Sequence, residues 1–159
     1  MVRKLNVFKI GLLVLVMSCV AFSVVYAATP SDEAVDKGIQ LMSGNKLDEA
    51  ASEFNKAKTL TPKNSAAYWG LATCASRKGQ LDEALVLINK AIELDPVRGM
   101  FYDNRAVIYN EKKEYAKSLS DFNTAIKLGF QSNPGFIAGV EASLKQASQP
   151  PVSKDNKKI

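Results

Sequence analysis

Residues 65–96, SAAYWGLATCASRKGQLDEALVLINKAIELDP, decide the fold. The stretch reads as helix, tight turn, helix, stop. Ser65 to Arg77 is the first helix and Gly79 lies in the turn. Leu81 to Leu94 is the second, with Leu81, Ala84, Ile88, Ala91 and Leu94 on one stripe at three- and four-residue spacing. Asp95-Pro96 ends it.

The same plan recurs 34 residues to either side. Pro62 and Pro96 are one step apart. Gly38, Ala72 and Ala106 form a column, as do Ala50, Ala84 and Ser118, Phe54, Ile88 and Phe122, Ala57, Ala91 and Ala125, and Leu60, Leu94 and Leu128. A fixed period of this length marks a repeat architecture, in which each unit buries its apolar face against its neighbours. Helices are therefore expected over Ser31 to Ser43, Leu47 to Leu60, Gly99 to Glu111 and Tyr115 to Leu128 as well. Thr29 and Pro30 supply a start signal and Gly44-Asn45 the first turn. A seventh helix, Pro134 to Ala147, has Asn133 as its cap and no partner, so it closes the end of the stack. Gly38, Ala72 and Ala106 are expected where the first helix of a unit crosses its second, facing Ala50, Ala84 and Ser118.

Composition narrows the function. The chain has 159 residues, 47% hydrophobic and 23% charged, enough for one modest domain. The formal charge is +5, but Arg3, Lys4 and Lys9 carry three of those charges, and the tail with Lys154, Asp155, Lys157 and Lys158 a net two. The middle of the chain is neutral, so a nucleic-acid partner is not expected. Histidine is absent, which removes the commonest general base and metal ligand. The two cysteines, Cys19 and Cys74, form neither a zinc site nor a disulfide framework.

The first 27 residues read as an export signal: a basic end, an apolar run from Ile10 to Val25 and a Val25-Tyr26-Ala27 cleavage site. Two alternatives stand beside cleavage. Val16-Met17-Ser18-Cys19 loosely resembles a bacterial lipoprotein box with Cys19 as the lipid carrier, or the segment stays as a membrane anchor. Each puts the folded part outside the cytoplasm, in a bacterial periplasm or on a membrane facing it. Residues 148–159 read as a disordered, Lys-rich tail after Gln149-Pro150-Pro151. In an oxidising compartment Cys74 has no thiol partner within the mature chain; it reads as an intermolecular bridge or reactive thiol or, in better accord with its surroundings, as a small apolar residue packed inside a helix pair.

The columns resemble the tetratricopeptide repeat family. Tyr68, Leu71, Ala72, Ala84, Ile88, Ala91 and Pro96 match its pattern in the second unit; Gly38, Leu41, Ala50, Phe54, Ala57 and Pro62 in the first; Tyr102, Ala106, Tyr109, Phe122 and Ala125 in the third. The chain departs from the pattern at Ala34, Lys37, Arg105 and Phe130, where an aromatic, Leu, Leu and Pro are usual. The resemblance implies an all-α, right-handed helical solenoid of three helix-turn-helix repeats, about 31–64, 65–98 and 99–132, plus the capping helix 134–147, within a domain spanning 29–147. It also implies a concave groove that binds a peptide or partner protein, and no enzymatic activity or cofactor.

The groove of such a stack is lined by the first helix of each unit. Its outward positions are Val35, Ile39 and Met42, then Trp69, Thr73 and Arg77, then Asp103, Val107 and Asn110. Trp69 reads either as an aromatic anchor or as packing against the first unit, and Gly70 as a clearing beside it for a ligand. The lining is mostly apolar, and no paired Lys and Asn clamp for a terminal carboxylate is visible. The repeated Asp48-Glu49 and Asp82-Glu83 pairs diverge around their helices and suit helix N-termini better than a catalytic cleft. No Gly-rich phosphate loop and no metal site appear. Assembly of a cell-envelope complex from a tethered form is the alternative role. Three units are few for a stable array, so weak self-association through an exposed end belongs with these expectations.

Overall fold

The computed structural model describes residues 28–149. The proposed signal segment 1–27, with Cys19, and the tail from 150 onward lie outside the described residues. Seven helices follow in order: α1 (Pro30–Ser43), α2 (Leu47–Leu60), α3 (Ser65–Arg77), α4 (Leu81–Leu94), α5 (Gly99–Glu111), α6 (Tyr115–Lys127) and α7 (Pro134–Ala147). Among the described residues there is no strand.

Local chemistry sets the helix ends. Thr29 and Asp32 form a reciprocal capping box on α1, with Pro30 in the first turn. Asn64 and Asn133 accept main-chain N–H groups at the starts of α3 and α7. Each turn from a first to a second helix closes through a left-handed residue: Asn45, Gly79 and Lys113, at φ 60°, 76° and 62°. The N–H that follows donates back to the helix, Lys46 to the Leu41 carbonyl, Gln80 to Ala75 and Glu114 to Tyr109. Helix α6 ends at Lys127, one residue before the expected Leu128. Gly129, at φ 81°, takes the same left-handed place, and the Phe130 N–H returns to the Ala125 carbonyl. That closure explains how Phe130 stands where a repeat of this pattern has Pro: the stop is made by main-chain geometry. Gly99 packs beneath it, where an added Cβ would fall 2.7 Å from the Phe130 Cβ.

The units pack by nearest neighbours. Helices pair within a unit as α1 with α2, α3 with α4 and α5 with α6, and each second helix then packs on the first helix of the next unit. The core is correspondingly divided into three buried clusters, one centred on Phe54, one on Ile88 and Phe101, and one on Phe122 and Val140. The first helices also touch one another directly, α1 with α3 and α3 with α5. No comparable packing joins α2 to α4 or α4 to α6. The row of first helices is therefore the tighter, inner side of the stack.

The columns of small residues fall where expected. Ala50, Ala84 and Ser118 are buried, and the Ser118 hydroxyl donates to the Ala106 carbonyl across the crossing, at 2.8 Å. One reading of the sequence changes. Gly70 does not clear space for a ligand beside Trp69. It makes room for Phe54: a Cβ on Gly70 would lie 2.3 Å from the Phe54 ring, and one on Gly38 2.7 Å from it. The buried ring is wedged between the first helix of its own unit and that of the next. One period later the same two columns hold Ile88 and Asn104, so a smaller wedge goes with a larger neighbour. Tyr68 is half-buried, and its hydroxyl donates to the Pro62 carbonyl. Tyr102 repeats that bond to Pro96, and the fully buried aromatic on α5 is Phe101.

Gly70→Ala adds about 1 kcal/mol of helix propensity. It nevertheless should destabilise the protein by about 1–3 kcal/mol through overpacking against Phe54. Adding Phe54→Leu should recover part of that loss. Urea denaturation of the two variants measures both effects, and a midpoint that rises for Gly70→Ala alone would contradict the wedge.

Candidate functional site

The inner row of helices carries a pocket between α3 and α5 of about 200 Å³. Ala72, Thr73, Ser76 and Arg77 line it from α3, and Asn104, Val107, Ile108 and Glu111 from α5. Ala72 and Ile108 are buried and form an apolar floor, while Arg77 and Glu111 stand exposed at its edge. Both charges sit on the last residue of their helices, one period apart.

Of the nine residues expected to face the groove, the structure brings three together in this pocket: Thr73, Arg77 and Val107. Two others are placed inside the protein. Val35 and Met42 are buried in the first core cluster, because α3 covers that side of α1 and Leu71 and Cys74 fill the space. Ile39 is half-buried against the same cluster. Trp69 is half-buried and packs against the first and second clusters together, with its Nε1–H buried and without a partner. That placement matches the packing reading of the indole. Asp103, one period on, is half-buried with Oδ1 enclosed and unpartnered. Asn110 is half-buried and accepts the Lys113 N–H at its carbonyl.

Ser76, Asn104, Glu111 and the floor residues were missed by reading each helix separately. The outward face of one helix was identified, whereas the pocket lies in the seam between two. The period carries the missing signal: Ser76 and Asn110, and Arg77 and Glu111, are pairs one repeat apart.

Arg77 is held rather than free. Its Nη1–H donates to the Met42 carbonyl at 2.8 Å and its Nη2–H to Asn45 Oδ1 at 3.0 Å, so the side chain ties α3 to the first turn. Beside it Lys78 pairs with Asp48, and Lys112 pairs with Asp82 one period later. Each carboxylate raises its lysine's pKa, chiefly through the hydrogen bond. Asp48 and Asp82 are thus ties to the following unit as well as residues of a helix N-terminus. Cys74 is buried in the first cluster, and burial pushes its thiol pKa up, which disfavours the reactive thiolate.

The departures at Lys37 and Arg105 also acquire a cause. Lys37 meets Glu53 at 2.5 Å, and Arg105 meets buried Asp121 through Nε and Nη2 at 2.7 and 2.8 Å. The corresponding columns in the second unit hold Leu71 and Leu87. The helix pair is therefore joined by an ion pair, an apolar pair and an ion pair in successive units. Arg105 also donates to Asn89 on α4 and lies over the rings of Tyr102 and Tyr109, with Asp121 holding its pKa up.

Residues 41–99 match the family model described as Tetratricopeptide repeat. No curated protein matches the chain in sequence. Several solved structures share its fold. The first tetratricopeptide domain of Spaghetti (RPAP3), bound to the HSP90 peptide SRMEEVD, aligns over 75% of this chain and 96% of its own at 17% identity and a TM-score of 0.67. The TPR2B domain of yeast Sti1, in a complex with pHsp70, aligns over 74% and 98% at 23% identity and 0.64. The Sgt2 domain of Aspergillus fumigatus aligns over 84% and 93% at 18% identity and 0.68. Residues 41–99 thus resemble tetratricopeptide repeats in sequence, and the fold around them is that of solved tetratricopeptide domains. The seven described helices form an all-α helical solenoid like those domains, with the row of first helices on its inner side. Among the described residues of this repeat domain no three metal-ligating side chains gather at one place, and no helix is long and apolar enough to cross a membrane.

Arg105→Leu strands Asp121 as a buried, unpartnered carboxylate and should cost about 3 kcal/mol. The double change Arg105→Leu with Asp121→Leu copies the Leu71 and Leu87 columns and should return most of it. Thermal unfolding of both variants tests this; equal losses in the single and the double variant would contradict the pairing.

Proposed function

We propose that this repeat protein is a non-enzymatic binding module that works outside the cytoplasm and holds a peptide or a segment of a partner protein in its groove. The pocket between α3 and α5 carries the reading, because it combines a buried apolar floor with polar walls on the inner face of the stack. Grooves pair apolar contact area with a few placed polar groups when they orient a chain. The two relatives of this fold solved with HSP90 and pHsp70 material support the general mode. Asp48 and Asp82, which open α2 and α4, are engaged with lysines of the next unit, which supports a structural role for them.

Filling the pocket tests the reading directly. Val107→Trp should lower the affinity for peptides selected from a random displayed library by at least about tenfold, the loss expected on removing one buried apolar anchor. The melting temperature should stay close to that of the parent. If no library sequence is enriched by the parent protein, or if enriched sequences bind the variant equally, the groove reading fails.

Location rests on the basic end and apolar run of the first 27 residues. The intact mass of the protein purified from its host should show the loss of residues 1–27. A lipid on Cys19 would instead support the tethered assembly role, and a full-length mass the retained anchor.

A further inference from the structure

The pocket between α3 and α5 has a size and a charge pattern that limit what fits it. Sites for whole small molecules span about 300–1,000 Å³. This one, at about 200 Å³, is below that range and suits a single side chain. Its floor of Ala72 and Ile108, with half-buried Val107, is aliphatic. Asn104 donates through Nδ2 to the Met100 carbonyl, which leaves Oδ1 as an acceptor on the pocket wall.

The rim is bipolar. Arg77 stands on the α3 side with two of its N–H groups committed to Met42 and Asn45, and a guanidinium has five such donors. Glu111 stands on the α5 side and forms no ion pair among the described residues. A ligand with two acidic flanks meets Glu111 as a like charge, and one with two basic flanks meets Arg77.

Resting on the groove reading above, we infer that the pocket takes one aliphatic side chain from a peptide segment that carries an acidic residue on one flank and a basic residue on the other. The acidic flank pairs with Arg77, the basic flank with Glu111, and Asn104 Oδ1 accepts a main-chain N–H between them. The chain direction is free, since either order puts one charge on each side.

Synthetic peptides with blocked ends test this on the full-length protein, with calorimetry as the readout. SESLSKS should bind at least about tenfold more tightly than SESASKS, the difference expected for burying a leucine side chain. It should bind about threefold more tightly than SESLSES and SKSLSKS, the scale of exposed ion pairs, and this margin should shrink in high salt. In the Glu111→Lys variant the order should change so that SESLSES binds best. Binding that ignores the leucine, or a charge preference that Glu111→Lys leaves unchanged, overturns the inference. If library-selected peptides bind and are lost on Val107→Trp while none of these four binds, the inference falls and the groove reading stands. If neither set binds, both fall.

Discussion

The stack depends on a ring held in a space that only glycine leaves open. Phe54 projects from the second helix of its unit between Gly38 and Gly70, and no Cβ fits at either position without displacing it. A buried aromatic ring shared by two units couples them more tightly than contacts confined to one. The same column continues with Ile88 and Phe122, each buried, and the crossing column relaxes from Gly38 to Ala72 and Ala106. Size is thus exchanged between columns while the space between helices stays filled, as a close-packed interior requires. Val140 extends the crossing column into α7. No second helix of a fourth unit lies beside it among the described residues, and a larger residue is buried there with Ala106 and Phe122.

Polar groups follow the same logic of exchange. The joint made by Leu71 and Leu87 in the middle unit is made by Lys37 with Glu53 before it and Arg105 with Asp121 after it. Either solution closes the helix pair: Lys37 remains exposed, and the enclosed Arg105–Asp121 pair differs little in net stability from an apolar pair of similar volume. What cannot be tolerated is one member without the other.

The curvature of the array and the position of the pocket share one origin. First helices carry small residues on the faces where they cross, so their axes approach each other as well as their partners. The second helices make no comparable contact with one another. A row that packs more closely on one side bends toward it, and the pocket lies in the seam between adjacent inner helices. Arg77 belongs to both features: two of its N–H groups secure the first turn, and the rest of the guanidinium edges the pocket.

The helices, their order and nearly all their boundaries were legible in the amino-acid sequence, because period, stripe, caps and stops are local properties that a single chain displays. The crossing columns were legible for the same reason. The purpose of Gly70, the burial of Val35 and Met42, and the seam that joins Thr73 and Val107 to Asn104 and Glu111 were not. Each depends on which side chain of one helix meets which residue of another, and a helical face viewed alone does not say whether water or a neighbouring helix covers it. Only the stacking of units decides that.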